Sequence, residues 1–592
     1  MQSTELFLEA DPQLRRGLTF GRGFAITGSV FALTLISLFW NKGPGVSWLY
    51  QFKSQDFLWL AVLALFWGVL LRALVKLETR GAEQLFLPAS RSGRWLLPLA
   101  IAVCFLFSWI GTHTIYHGYS LSLDEFIDLF QVQTFLSGDL IARVDEEWRA
   151  FGFPLQPVNI KYDAANAFWY TGVLPVRAAF QTLFALLGDV ALAEAFAAAM
   201  SVLLLFLIAR IIRPQQQQFP LVALLFLLGS TQFLITSISP YAMTTMLFFG
   251  ALWLYLYLRN TPLSHLLGVV VLFLASGLHH WQNFPIFVIP FLLGMIYLRQ
   301  WKLLLLYGSV ALISALFWKA WPAFSLHHWY DIVRSSNGPK LSVAGSALKF
   351  LYRRDAQDII NWLVNLYRFV AWQHLLLIPM LYVAIRNWRA MPPVLRVIAA
   401  GIAFQIAVYT VLYPTQGHGW GYRFIHEQLV GLALVAAFGW ERASNRLQQL
   451  GINPMPLLIG SSMIMLLLAL PLRAVQTEQS VAPYAAADRY IKQIDADIVL
   501  LDIRNGWYSQ DLVRNRPDLS NRPLVMALQT LSAEQIEMLC DRYDTRYVLF
   551  DDLYRLGLQP ASGDLLANGN QSMSYRNELN AKGCTKSVYQ PR

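Results

Sequence analysis

Long apolar runs separated by short polar connectors fill most of the chain, and one polar, acidic stretch interrupts them. Runs lie near 24–40, 57–76, 95–112, 189–210, 220–236, 241–258, 264–280, 283–298, 303–321, 366–385, 395–412, 427–441 and 456–472. Apolar runs of roughly 17–25 residues fit helices that cross a bilayer. The pattern predicts a polytopic α-helical membrane protein with about thirteen transmembrane helices. The stretch FWYTGVLPVRAAFQTLFALL at 168–187 breaks the pattern, because Arg177 and Gln181 interrupt it and Pro175 opens a short amphipathic helix. It is expected to lie in the outer interface.

After residue 472 the pattern changes. DIVLLDI at 497–503, PLVMAL at 523–528 and RYVLF at 546–550 read as buried strands. SAEQIEMLCDRY at 532–543 reads as a helix, with Ser532 as N-cap and Gln535 three residues on. Strand–helix–strand order predicts a small α/β domain with parallel pairing. The expected division is a transmembrane domain over 1–472, including an acidic loop at 113–167, and a soluble domain over 473–592. The soluble part has no glycine-rich phosphate loop.

Composition agrees with the span pattern: 56% of residues are hydrophobic and 14% charged. The net charge of +10 does not point to nucleic acid. Much of the excess sits in alternate connectors, at Lys76, Arg80, Arg91 and Arg94, at Arg210 and Arg213, at Arg259, at Arg299 and Lys302, at Arg386, Arg389 and Arg396, and at Arg442 and Arg446. Basic connectors mark the cytoplasmic side. The N-terminus is then cytoplasmic and, with an odd span count, the C-terminal domain is extracytoplasmic. The first run ends at Trp40-Asn41-Lys42 without a small-residue cleavage pattern, so it is expected to remain as a span. In an oxidising compartment Cys540 and Cys584 could pair, or stand as two thiols. One outer loop is basic: Arg334, Lys340, Lys349, Arg353 and Arg354, with Lys319 at its edge. These residues either contact lipid phosphates from a surface helix or hold a phosphate in a site.

The acidic loop gathers Asp124, Glu125, Asp128, Asp139, Asp145, Glu146, Glu147 and Asp163 against only Arg143, Arg149 and Lys161. LDEFIDLFQVQTFLSGD is expected to start a helix just beyond the third span. Asp124 and Asp128 would then share a face, with Glu125 roughly 100° away. A carboxylate beside others at a membrane rim has a raised pKa and can act as a base. A helix N-terminus also favours acids through its dipole alone. The outer ends of other spans bring Tyr241, the pair His279-His280, Lys319, and the run His418-Gly419-Trp420-Gly421-Tyr422-Arg423 to the same face. Ionisable groups at that depth are costly and default to functional candidates. The planar fork of Arg423 suits a phosphate. Tyr422 and Trp420 could stack on a sugar or belong to the interfacial aromatic belt. The histidine pairs lack metal-ligand spacing.

The Asp124-Glu125 pair in the first large outer loop, the following Ser137-Gly138-Asp139 turn, the interfacial helix and the soluble C-terminal domain together resemble the GT-C superfamily of membrane glycosyltransferases. LDEFIDLFQVQTFLSGDL is similar to the Asp-Glu helix of the protein-mannosyltransferase and aminoarabinose-transferase branch. The order of elements matches over about residues 95–300. Two departures are plain: three spans precede the loop where most members have one, and no branch-specific donor motif is present. The resemblance implies a polyprenyl-phosphate sugar donor in the plasma membrane and a glycan, lipid or protein acceptor. It implies Asp124 as general base, Glu125 as the residue that orients acceptor or base, and Arg423, with some of Lys319, Arg334 and Lys340, on the leaving phosphate. Inversion at the anomeric carbon follows from a single displacement. A divalent cation, Mg or Mn, is allowed and not demanded. The rival readings are a glycolipid transporter or flippase, and an oligosaccharide ligase or polymerase.

Overall fold

The computed structural model describes residues 52, 56, 57, 60, 63, 95–330, 356–412, 416–449, 454–560 and 565–586. The expected spans at 24–40 and, for the most part, 57–76 lie outside them, as do Arg334, Lys340, Lys349, Arg353 and Arg354. The other eleven apolar runs are helical. Six helices among the described residues are long and apolar enough to cross a membrane: Leu96–Thr114, Leu192–Ile212, Ala242–Arg259, Trp301–His328, Pro393–Leu412 and Met455–Lys492. A seventh forms if Phe219–Leu228 and Thr231–Ser237, bent by 63°, count as one. Leu99, Val103 and Ile110 on the first helix, and Leu305, Leu312 and Leu316 on Trp301–His328, point outward without protein cover. Water would not tolerate such continuous apolar faces, whereas lipid requires them. The chain is a polytopic α-helical membrane protein.

Other runs differ from the expectation in length or continuity. Pro262–Ala275 and Asn283–Tyr297 have 14 and 15 residues, about 21–23 Å at 1.5 Å per residue. The run at 366–385 is not one helix. Ala356–Ala371 ends at Trp372-Gln373-His374, and Leu377–Arg386 starts anew. His374 Nδ1 accepts from the Leu376 backbone N–H, at 3.2 Å, and so takes up one of the donors that the break exposes.

The chain divides into two compact units. One comprises residues 1–100, 202–234 and 339–471, and the other 101–201, 235–338 and 472–592. In the first, Leu429–Gln449 packs on Leu377–Arg386, Phe219–Leu228 and Pro393–Leu412. Gly439 permits the closest of these approaches: a Cβ there would lie 1.9 Å from the Met380 carbonyl oxygen. In the second unit, Ala242–Arg259, Pro262–Ala275 and Trp301–Tyr330 pack in sequence order.

The second unit also carries two small sheets. Strands β1 (Ala142–Arg143), β2 (Ile160–Asp163) and β3 (Phe168–Thr171) form an antiparallel sheet in the order β1-β3-β2. The start of the 168–187 stretch is therefore strand, because Phe168–Thr171 pairs on both edges. The helix begins at Val176, one residue after Pro175. Strands β4 (Ile498–Leu501), β5 (Leu524–Ala527), β6 (Thr545–Val548) and β7 (Thr585–Lys586) form a parallel sheet in the order β5-β4-β6-β7. Helix Ala533–Arg542 carries the capping box of Ser532 and Gln535. Cys540 and Cys584 are joined as a disulfide.

Residues 473–592 share a core with the acidic stretch. Ile498, Leu500, Met526, Leu539 and Tyr547 share one buried cluster with Phe126, Phe130, Trp148, Phe151 and Trp169 of the acidic stretch. Asn515 Nδ2 donates to the Leu155 carbonyl at 2.8 Å, and the Ala527 N–H donates to the Pro154 carbonyl at 2.8 Å. The expected border at 472 thus separates two segments that complete one apolar core.

Candidate active site

The helix of the acidic stretch runs from Leu123 to Leu136. Its N-cap, Ser122, makes no side-chain cap and sits at φ 85°, ψ 159°. That region is nearly restricted to glycine and costs about 1–3 kcal/mol elsewhere. The Ser122 hydroxyl instead lies 3.1 Å from the Tyr241 hydroxyl. Tyr241 is buried and braces the helix entry. The helix then opens on Asp124 and Glu125, and the two separate at once. Asp124 is half-buried, while Glu125 is fully buried and accepts from the Tyr116 hydroxyl at 2.7 Å.

Asp128 shares the face of Asp124 but does not join it as a second reactive acid. Arg177, fully buried on the short helix Val176–Ala185, pairs with Asp128 through Nη1 and with Glu194 through Nη2 at 2.9 Å. Its Nη2 also donates to the Pro240 carbonyl at 2.5 Å, and Thr245 Oγ1 donates to Glu194 at 3.0 Å. Burial disfavours the Arg177 charge, but the two carboxylates raise its pKa and hold it protonated. Burial pushes Asp128 up to about 6, opposed by the same arginine. This cluster ties the acid helix to helix Val176–Ala185 and to two apolar helices, Leu192–Ile212 and Ala242–Arg259. Asp124 is left as the more accessible carboxylate at the helix start.

Burial also pushes Glu125 well above the usual carboxylate range, and the Tyr116 hydrogen bond only partly opposes it. Burial thus favours the neutral form of Glu125. Its raised folded pKa contributes stability that is fully present below the unfolded value of about 4.3 and is lost as pH rises through the folded one. Glu125→Gln mimics the neutral form. It is expected to keep the wild-type melting temperature at pH 4 and to exceed it at pH 8. A variant whose melting curve still falls with pH as in the wild type would place the titration elsewhere.

In the other unit, the run at 416–423 is a rigid glycine loop. Gln416 donates from Nε2 to the Gly421 carbonyl at 2.8 Å and accepts from the Arg423 N–H at 2.9 Å. Gln232 clamps Tyr422 in the same two-point way, donating to its carbonyl at 2.9 Å and accepting from its N–H at 3.2 Å. Gly421, at φ 65°, has no room for a side chain: a Cβ would meet Gln232 Oε1 at 2.4 Å. Arg368 and Asp56, both fully buried, pair at 2.9 Å, and Arg368 Nη2 donates to the Gly419 carbonyl at 2.8 Å. Trp372 Nε1 donates to the other Asp56 oxygen at 2.6 Å.

The loop presents Arg423 half-buried, its guanidinium 5.2 Å from the centre of the Phe424 ring. His418 is half-buried and packs edge-on against Trp420 at 5.2 Å. The stacking role expected for Tyr422 does not fit, because its ring is fully buried in protein. Trp420 is buried likewise, so neither belongs to an interfacial belt. In the acid-helix unit, the His279 and His280 rings lie 4.4 Å apart, tilted by 47°, and the His279 carbonyl accepts from the Leu174 N–H at 3.0 Å. Lys319 is exposed, 5.8 Å from the centre of the Trp281 ring.

Sequence reasoning did not single out Arg177, Glu194, Asp56 or Arg368 as structural partners. Arg177, Glu194 and Arg368 lie within or beside apolar runs, and that placement was the available signal. Among the described residues no three His, Cys, Asp or Glu side chains are grouped to hold a metal ion.

No protein-family model and no curated protein matches the chain by sequence. Among solved structures it is similar to ArnT from Cupriavidus metallidurans bound to undecaprenyl phosphate, at 14% identity and TM-score 0.43. The alignment covers 72% of this chain and 85% of that one. The apo form of the same ArnT is similar at 13% identity and TM-score 0.42, with the same coverage.

Proposed function

We propose that the chain is an inverting membrane glycosyltransferase that takes a sugar from a polyprenyl-phosphate carrier on the extracytoplasmic face. The observation that carries this reading is the placing of Asp124. It stands half-buried at the first turn of a helix whose entry is backbone-strained, beside Glu125 and Asp128, which are both buried. Strain of this kind clusters where a side chain is aimed for chemistry.

In the proposed step an acceptor hydroxyl or amine attacks the anomeric carbon. The new bond to carbon forms as the bond from carbon to the phosphate oxygen breaks. The acceptor proton passes to the Asp124 carboxylate, and the electron pair leaves with polyprenyl phosphate. Arg423 is assigned to that phosphate, with Lys319, Arg334 and Lys340 as further cations, because fixed positive charge acts most where negative charge develops. His418, His279 and His280 are assigned to hydrogen bonding with substrate hydroxyls. Thirteen spans with a cytoplasmic N-terminus are supported by the basic alternate connectors, and an extracytoplasmic C-terminus by the Cys540–Cys584 disulfide.

A transporter would be favoured by broken helices, and the breaks after Leu228 and Ala371 are such features. Their polar groups are taken up by protein, however. The Gln232 N–H and Thr231 Oγ1 both donate to the Trp372 carbonyl, at 3.1 and 3.0 Å. The breaks thus buttress the glycine loop. Deleting the gene is expected to make a lipid-linked sugar accumulate in the host membrane. With that lipid as donor in proteoliposomes, Arg423→Ala should raise the donor KM about tenfold or more and leave the acceptor KM within twofold. An unchanged donor KM would move the phosphate site elsewhere, and a deletion with no change in lipid-linked sugars would remove the transferase reading.

A further inference from the structure

The acid helix is gripped at its entry by one arginine from the far end of the chain. Arg514 Nη2 donates to the Ser120 carbonyl and, at 2.7 Å, to Asp511 Oδ2. Its Nε donates to the Asp511 carbonyl at 2.8 Å. The guanidinium lies 3.8 Å from the centre of the Tyr119 ring and 4.7 Å from that of Phe126. The Tyr119 hydroxyl donates in turn to Asp511 Oδ2 at 2.8 Å. All four side chains are buried. Arg514 therefore holds the chain on both sides of Ser122, through residues 119 and 120 before it and residue 126 after it. Two helical residues amount to about 200° of rotation. Fixing Phe126 inward against the guanidinium thus turns Asp124 to the opposite side.

We propose that Arg514, with Asp511 as its anchor, is a positioning residue that keeps Ser122 in its unfavourable conformation and so sets the direction of Asp124. This rests on the reading of Asp124 as the general base. A strained residue persists only where its surroundings over-determine it, and Arg514 supplies both a hydrogen bond and two ring contacts for that purpose. Lysine cannot replace it: an ammonium has the charge but neither the planar stacking surface nor the fixed fork.

The test uses the full-length protein in proteoliposomes, with the lipid-linked sugar accumulated by the deletion strain as donor. Arg514→Lys is expected to lower kcat by about 10–100-fold, as small misplacements of reacting groups do, with donor KM and melting temperature near wild type. Adding Ser122→Gly, which removes the penalty for positive φ, should recover part of that kcat. Asp124→Asn is measured beside it. A dead Asp124→Asn with wild-type kcat in Arg514→Lys would overturn the positioning role and leave the transferase reading standing. An active Asp124→Asn would overturn the reading itself. A loss in Arg514→Lys confined to KM, or one that Ser122→Gly does not relieve at all, would also overturn the positioning role. Should Arg514→Lys not yield folded protein, Asp511→Asn keeps the arginine and removes its anchor. It is expected to show the same fall in kcat, and wild-type turnover there would overturn the inference.

Discussion

Replacing Asp124 by asparagine is expected to lower sugar transfer by about two to four orders of magnitude, the usual weight of a general base. Asparagine keeps the shape and the hydrogen-bonding reach of the side chain and removes only the basic carboxylate. The stability change should be small. Asp124 is half-buried rather than enclosed, and its interaction with the helix dipole contributes on the order of 0.3–1 kcal/mol. Removing its charge also relieves repulsion on Asp128, whose pKa it helps to raise. Melting temperature and membrane level should therefore match the wild type while turnover is lost. Full burial of Glu125 against Tyr116 argues against the orienting role that the resemblance implies, so Glu125→Gln should behave in the reverse sense, with a changed pH profile of stability and retained turnover. Two adjacent carboxyls with opposite phenotypes would be the signature of one exposed to chemistry and one kept neutral by burial. Persistent transfer in Asp124→Asn at above a tenth of the wild-type rate would remove it as the base.

What the sequence made legible follows from what a one-dimensional pattern can encode. The strands at 498–501, 524–527 and 545–548 fall on or beside the short runs DIVLLDI, PLVMAL and RYVLF, and Ser532 with Gln535 marks a helix start whatever lies around it. The acid helix was legible for the same reason. Partners far apart in sequence were not. Arg177 inside an apolar stretch signals cost, but nothing in the stretch names Asp128 and Glu194 as its counter-charges, 49 and 17 residues away. Arg368 and Asp56 are 312 residues apart, and nothing near either one in sequence names the other. Tyr422 illustrates the opposite error. An aromatic beside glycines looks available for stacking, and only its full burial, with its backbone clamped at two points by Gln232, shows that its ring is turned into protein. The shared core was hidden as well. Phe126, Phe130 and Trp169 look like ordinary loop aromatics until Ile498 and Met526 arrive more than three hundred residues later.

Arg177→Met is expected to be the most destabilising single change in the acid-helix unit. Removing one partner from a buried ionic cluster leaves uncompensated charge and costs about 3–5 kcal/mol. Here two carboxylates and the Pro240 carbonyl would lose the same guanidinium at once. The loss should depend on pH, and its sign can be derived. Asp128 already titrates at about 6 with the arginine present, and without that cation burial acts on it unopposed, so its folded pKa rises further. The carboxyl is then tolerated as the neutral acid below its unfolded value and penalised as pH rises through the folded one. Thermal unfolding in detergent should accordingly show a larger deficit at pH 8 than at pH 5. Adding Asp128→Asn and Glu194→Gln to Arg177→Met should recover most of the stability, because a neutral hydrogen-bonded core no longer contains an unpaired charge. A single variant that melts within a degree of the wild type at both pH values would show that the cluster does not hold the acid helix in place.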